Sequence, residues 1–155
     1  MEKLHLNITT KSQGETEKIG EIIGSQLKGG ECIELIADLG GGKTTLTRGI
    51  VKGAGSEDHV SSPTFTISKI YDAPKFNIHH FDFYRLSTAG VVGHELEEVR
   101  DEPTSVLVVE WGDIVSNVLP KDRVTISITQ ENEDTRKIEL SGPKKYEYLF
   151  EGIKV

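Results

Sequence analysis

A glycine-rich segment between an apolar run and a helical pattern constrains the fold of this chain more than any other feature. The run CIELIA at 32–37 is typical of a buried strand, and Leu46, Ile50 and Val51 recur at helical spacing further on. Between them, residues 38–45 read DLGGGKTT. This closely matches the Walker A pattern G-x-x-x-x-G-K-[ST] in the strand–loop–helix context that the pattern requires. The segment therefore predicts a phosphate-binding loop.

Each residue type in this loop has a physical reason to be there. Gly40, Gly41 and Gly42 lack a Cβ atom, so successive backbone N–H groups can curve around phosphate oxygens. The helix that follows adds partial positive charge at its N-terminus. Lys43 is expected to neutralise the β- and γ-phosphates, and the Thr44 hydroxyl to ligate Mg²⁺. One position departs from the pattern, since Ala37 stands where its first glycine belongs, and we expect only slight distortion there.

Two carboxylates are candidates for the acid that a phosphate loop needs on a neighbouring strand. Asp82 lies between Phe81 and Phe83, and the alternative interpretation is a structural pair with Arg85. Glu110 directly follows the apolar run 106–109, at the end of a strand where α/β folds place ligands. It could orient an attacking water or join the metal shell, or it could be a strand-end charge that faces solvent.

Other polar residues near these motifs carry weaker signals. The segment Ser62-Pro63-Thr64-Phe65-Thr66 could sense the γ-phosphate as a switch loop does, or could be a turn that feeds a strand. His79 and His80 must face opposite sides of a strand, so they cannot easily bind one ion, and we interpret both as structural. Trp111 is more typical of packing than of ligand stacking.

The order of elements predicts an α/β fold. Helical and strand patterns interleave along residues 1–155 without a repeat or an interdomain linker, which favours a single domain with three layers. Hairpin-like pairs, at 65–83 and around 132–134, favour a mixed sheet over a purely parallel one. We expect the Ser12–Glu15 capping box to begin a first helix, and Gly29-Gly30 to end it.

Composition excludes several classes of protein. With 25 acidic and 18 basic residues, the net charge of −7 argues against DNA or RNA binding through the bulk field of the protein. The single cysteine, Cys32, excludes an intramolecular disulfide and a four-cysteine zinc site. No apolar run approaches the ~18 residues that span a bilayer. We therefore expect a cytoplasmic protein with no membrane association.

Four segments in this order make the chain resemble the TsaE (YjeE) family. They are ADLGGGKTTLTRGI (37–50), VSSPTFTI (60–67), HHFDFYRL (79–86) and VVEWGD (108–113). The resemblance covers about residues 16–136. It implies a P-loop ATPase fold with a mixed, largely parallel sheet. It also implies an ATPase, weak alone, that acts in threonylcarbamoyladenosine modification of tRNA with the partner proteins TsaD and TsaB, which would hold most of the tRNA.

The resemblance also implies roles for individual residues, with ATP or ADP and Mg²⁺ as cofactors. Catalysis would depend on Lys43, Asp82 and Glu110, and the metal would be bound by Thr44, Asp82 and Glu110. Ser62, Pro63, Thr64 and Thr66 would form the switch. The nucleotide-binding residues would be Gly40, Gly41, Gly42, Lys43, Thr44, Thr45, Gln13, Thr16, Trp111 and Arg136.

The sequence departs from the family pattern at two places, and two other functions are compatible with its motifs. Ala37 replaces the family's usual glycine, and the acidic cluster Glu95–Glu98 comes later than in the family, which puts partner contacts through that segment in doubt. A small-molecule kinase is one alternative, although the arginines are scattered and form no lid-like cluster. A nucleotide-binding adaptor without essential hydrolysis is the other.

Overall fold

The fold is built on one seven-stranded sheet in the computed structural model, which describes residues 3–37, 42–60, 68–82, 90–110 and 118–153. The strands are β1 (Lys3–Thr10), β2 (Cys32–Ala37), β3 (Ser68–Asp72), β4 (Asn77–Asp82), β5 (Ser105–Glu110), β6 (Val124–Gln130) and β7 (Arg136–Pro143). The helices are α1 (Gln13–Ser25), α2 (Lys43–Gly53) and α3 (Gly90–Arg100), followed by a C-terminal 3₁₀ helix (Lys144–Phe150).

The strand order β1-β7-β6-β2-β5-β4-β3 confirms a mixed, largely parallel sheet. The central strands β6, β2, β5 and β4 are parallel neighbours. Antiparallel pairing adds β3 at one edge, and β7 followed by β1 at the other. The phosphate-loop strand β2 and the Glu110 strand β5 are therefore adjacent. Their C-terminal ends lie together along the edge of the sheet where the parallel strands end.

Helices cover both faces of the sheet, as a three-layer α/β fold requires. Residues of α1 and α2 share one apolar cluster with Val106 and Val108 of β5, whereas Leu107 and Val109 share the other with Leu96 of α3. All of β5 is buried, which explains why its sequence is continuously apolar.

Four glycines bring the backbones of α1 and α2 into direct contact. A Cβ atom added at Gly49 would lie 2.1 Å from the carbonyl oxygen of Glu17, and one at Gly24 would lie 2.0 Å from that of Ile50. Gly20 and Gly53 are equally close to the opposite helix. At these four points α1 therefore packs against α2 with no side chain between the two backbones.

The end of α1 differs from the prediction. The helix ends at Ser25, before Gly29-Gly30, and its C-cap residue is Gln26. The Gln26 side-chain amide donates to the carbonyls of Leu149 and Glu151, which joins this end of α1 to the C-terminal segment. Gly29 and Gly30 have φ values of 107° and 87° and form the turn into β2 instead. The predicted capping box is present with one change, since Ser12 accepts from the Glu15 N–H while the Glu15 carboxylate accepts from Lys11.

A buried glutamate that the sequence analysis did not single out fixes this turn. The Glu31 carboxylate accepts hydrogen bonds from the backbone N–H groups of Lys28 and Gly29, each at 2.8 Å. The Tyr148 hydroxyl of the 3₁₀ helix donates a third, at 2.6 Å. Glu31 thereby joins the C-terminal 3₁₀ helix to the beginning of β2.

Candidate phosphate-loop site

Gly42 and Lys43 form the beginning of α2, directly after the glycine-rich loop. Gly42 caps the helix with φ of 101°, a left-handed conformation that an L side chain rarely adopts. Ala37 lies in β2, paired with Ile128 of β6, so its backbone is extended and the missing glycine imposes no strain. The Lys43 ammonium reaches back over the loop, where its Nζ lies 3.3 Å from the carbonyl oxygen of Ala37.

Glu110 lies at the carboxyl end of β5, opposite Leu35 of β2 and Asp82 of β4. Its side chain is only 3% exposed and Lys43 only 8%, so their charges meet largely out of water. The Glu110 Oε1 lies 3.7 Å from the Lys43 Nζ. The structure thus brings together two of the residues that the sequence singled out for catalysis, and it places Glu110 away from solvent.

His80 contacts the other oxygen of this carboxylate. Its Nε2 lies 2.5 Å from the Glu110 Oε2, and its Nδ1 lies 3.4 Å from the Tyr71 hydroxyl. The alternation of β4 places His79 on the opposite face, as predicted, where its Nε2 lies 3.3 Å from the Ser105 hydroxyl. His80 was predicted to be structural, and its contact with Glu110 was not predicted because it depends on the register of β4 against β5.

Asp82 is half-buried at the end of β4, in register with Glu110, and makes polar contacts of its own. Thr44 and Thr45 are half-buried in the first turn of α2. Hydroxyl and carboxylate oxygens are the hard donors that Mg²⁺ prefers. Among the residues that the structure describes, no group of three or more His, Cys, Asp or Glu side chains could hold a metal alone.

Arg136 and Thr16 approach the loop from the side of β1 and β7. The Arg136 Nε lies 3.7 Å from the position that a Cβ atom on Gly42 would take, and Arg136 pairs with Thr10 across the sheet. Thr10 and Thr16 are both buried, and their hydroxyls share a hydrogen bond of 2.7 Å. Arg136 therefore lies beside Gly42 at the start of α2, Thr16 is buried against Thr10, and Gln13 is exposed at the start of α1.

Several predicted site residues lie outside the described residues. They are Gly40, Gly41, Trp111, and the proposed switch residues Ser62, Pro63, Thr64 and Thr66. Arg85, the alternative partner of Asp82, and the predicted strand positions Phe65 and Ile67 are outside them as well. Their roles stay predictions.

The fold and the site define an α/β protein of the phosphate-loop class, with a lysine at the first turn of the loop helix and acids at the ends of neighbouring parallel strands. The family model described as "Threonylcarbamoyl adenosine biosynthesis protein TsaE" matches residues 10–138. The chain therefore belongs to the TsaE family, which confirms the resemblance seen in its motifs.

Individual relatives agree with this assignment. The tRNA threonylcarbamoyladenosine biosynthesis protein TsaE of Bacillus subtilis (strain 168) is 35% identical over 149 residues, which cover 93% of this chain and 90% of the relative. The protein of the same name from Rickettsia typhi is 32% identical over 144 residues, covering 92% and 97%. The crystal structure of Bacillus subtilis YdiB superimposes with a TM-score of 0.79 at 31% identity, covering 97% of this chain and 95% of that one.

Across the ranges that the structure describes, no helix is both long and apolar enough to cross a membrane.

Proposed function

We propose that this protein binds and hydrolyses ATP in the threonylcarbamoyladenosine modification of tRNA, together with TsaD and TsaB. The observation that carries the proposal is the contact between the buried Lys43 ammonium and the buried Glu110 carboxylate at the edge where β2 and β5 end. Family membership supports the pathway, since its relatives are named for tRNA threonylcarbamoyladenosine biosynthesis. The −7 net charge supports a role in which partner proteins make most of the contact with tRNA.

Phosphate binding would depend on the start of α2. The N-terminus of a helix carries partial positive charge from its backbone N–H groups, and Lys43 in the first turn adds a full charge beside them. A β- or γ-phosphate oxygen would compete with Glu110 for the ammonium group. Because both side chains are almost fully buried, this exchange would take place where electrostatic interactions are weakly screened.

Glu110 would then act on the attacking water. Exchange of Lys43 onto a phosphate would free Oε1, while Oε2 keeps its contact with His80. A carboxylate in this position would orient a water and accept its proton as the water oxygen bonds to the γ-phosphorus, while the bond from that phosphorus to the β–γ bridging oxygen breaks and ADP leaves. Thr44 and Asp82, with Glu110 directly or through water, would hold Mg²⁺. The ion, when bound, would supply positive charge against the phosphate oxygens.

ATP turnover with and without partners tests this proposal. We expect TsaD and TsaB together to raise phosphate release well above that of the free protein. In their presence Glu110→Gln should lower turnover by at least about 100-fold, the usual contribution of a general base. Glu139→Gln, an exposed site on β7, is the matched control and should leave turnover unchanged. Full turnover by Glu110→Gln would show that hydrolysis does not depend on this carboxylate.

A further inference from the structure

His80 lies beside Glu110, and the proposed mechanism gives it no role. Its side chain is fully buried within β4 and lies between two polar groups, the Tyr71 hydroxyl and the Glu110 carboxylate. A buried histidine commonly satisfies both ring nitrogens with backbone or neutral partners. Here one nitrogen instead contacts the carboxylate that faces the phosphate loop.

The partners of the ring define where its proton lies. A carboxylate oxygen only accepts, so the Nε2 that contacts Glu110 carries the proton, and Nδ1 can then accept from the Tyr71 hydroxyl. An Nε2–H group directed at Glu110 can donate to Oε2 at the observed 2.5 Å. A histidine oriented in this way by a second group at its other nitrogen has one fixed tautomer.

We propose that His80, held by Tyr71, is a positioning residue that fixes the rotation of the Glu110 carboxylate. With Oε2 anchored by His80, Oε1 faces Lys43 and the start of α2. The anchor does not depend on Lys43, so the carboxylate keeps its orientation when the ammonium group turns to a phosphate. This inference rests on the proposed role of Glu110 in hydrolysis and adds His80 as the group that orients its carboxylate.

Two amide substitutions separate positioning from packing. The amide nitrogen of Gln can reach the place of Nε2, whereas that of Asn reaches only the place of Nδ1. With TsaD and TsaB present, His80→Asn should lower kcat for ATP at least about tenfold, with KM within about twofold, because one hydrogen bond to a charged group is lost. His80→Gln should restore kcat to within about threefold of the native protein. His79→Asn, on the opposite face of β4, is the matched control and should leave kcat unchanged.

The proposal would be overturned if kcat fell equally in His80→Asn and His80→Gln and the decrease followed the loss of thermal stability of each variant. If His80→Asn has the native kcat, the proposal also fails, although Glu110→Gln can still abolish turnover and leave the proposed function intact. If Glu110→Gln retains turnover, both fail together, so the two results are distinguishable.

A measurement on the unmutated chain avoids dependence on folding of the variants. Long-range ¹H–¹⁵N NMR of protein labelled at histidine should show a proton on the Nε2 of His80, assigned by loss of its signals in His80→Gln. An unprotonated Nε2 would overturn the proposal, because the ring could then not donate to Glu110.

Discussion

Two glutamates, Glu31 and Glu110, are buried at opposite edges of the sheet and are satisfied in different ways. Glu31 precedes β2 and accepts from a tyrosine hydroxyl and from two backbone N–H groups, which cannot leave without unfolding the turn. Glu110 ends β5 and meets a fully buried histidine and a lysine, and the lysine side chain can turn to another partner. Burial alone therefore does not distinguish the two carboxylates, whereas the presence of one exchangeable partner does.

The largest expected difference between the two edges concerns their lysines. Lys43→Met should weaken binding of a fluorescent ATP analogue at least about 100-fold, because a buried charge-assisted contact with phosphate is lost. Lys28→Met is the matched control at the other edge. The exposed Lys28 ammonium lies 4.1 Å from the centre of the Tyr148 ring, and its loss should cost about 0.5–1 kcal/mol of stability and no nucleotide affinity. Equal affinity for Lys43→Met and native protein would contradict the comparison.

A smaller effect, on stability alone, is expected from Glu31→Gln. The new amide nitrogen must face a hydrogen-bond donor in place of one carboxylate oxygen, so unfolding in urea should be easier by about 1–3 kcal/mol. ATP turnover per folded molecule should stay at the native value. The exposed Glu147→Gln, in the same 3₁₀ helix as Tyr148, serves as control. A loss of turnover without a loss of stability would assign Glu31 to the functional edge.

The smallest effect concerns acidification. Burial lowers the pKa of His79, partly offset by Glu102, so the folded chain binds this proton less readily than the unfolded chain. Below about pH 6.5, the ordinary pKa of histidine, the unfolded state takes up more protons and stability falls with falling pH. Urea midpoints measured between pH 7.5 and 5.5 should show this decline, and His79→Gln should reduce its slope. An unchanged slope would show that other groups determine it.

Local patterns predicted the elements but not the contacts between them. The strand at 32–37 and the buried strand of Glu110 follow directly from apolar runs bounded by polar residues, and the structure confirms both. The contact between His80 and Glu110 joins residues 30 positions apart and depends on the register of β4 against β5. Nothing in the spacing of the histidines encodes that register, so the sequence could place His80 on a face but could not identify its partner.

The end of α1 shows the same limit. Gly29-Gly30 is a valid local stop signal, but α1 ends earlier, at Ser25, where the side chain of the C-cap residue Gln26 bonds carbonyls of Leu149 and Glu151 that are distant in sequence. The spacing of the glycines within the two helices indicates how closely the helices pack, although the sequence analysis considered only the glycines of the phosphate loop and of the turn after α1. Gly20 and Gly24 in α1, and Gly49 and Gly53 in α2, each recur after four residues and so line one face of their helix, a pattern of close helix packing.

This glycine contact has a mechanical consequence. Carbonyl groups of each helix occupy the space that side chains of the other would need, so α2 cannot rotate or slide along α1 without a collision between backbones. We therefore expect α1 and α2 to move as one rigid body. A shift of the first turn of α2 would therefore also move α1, whose first residue, Gln13, is exposed.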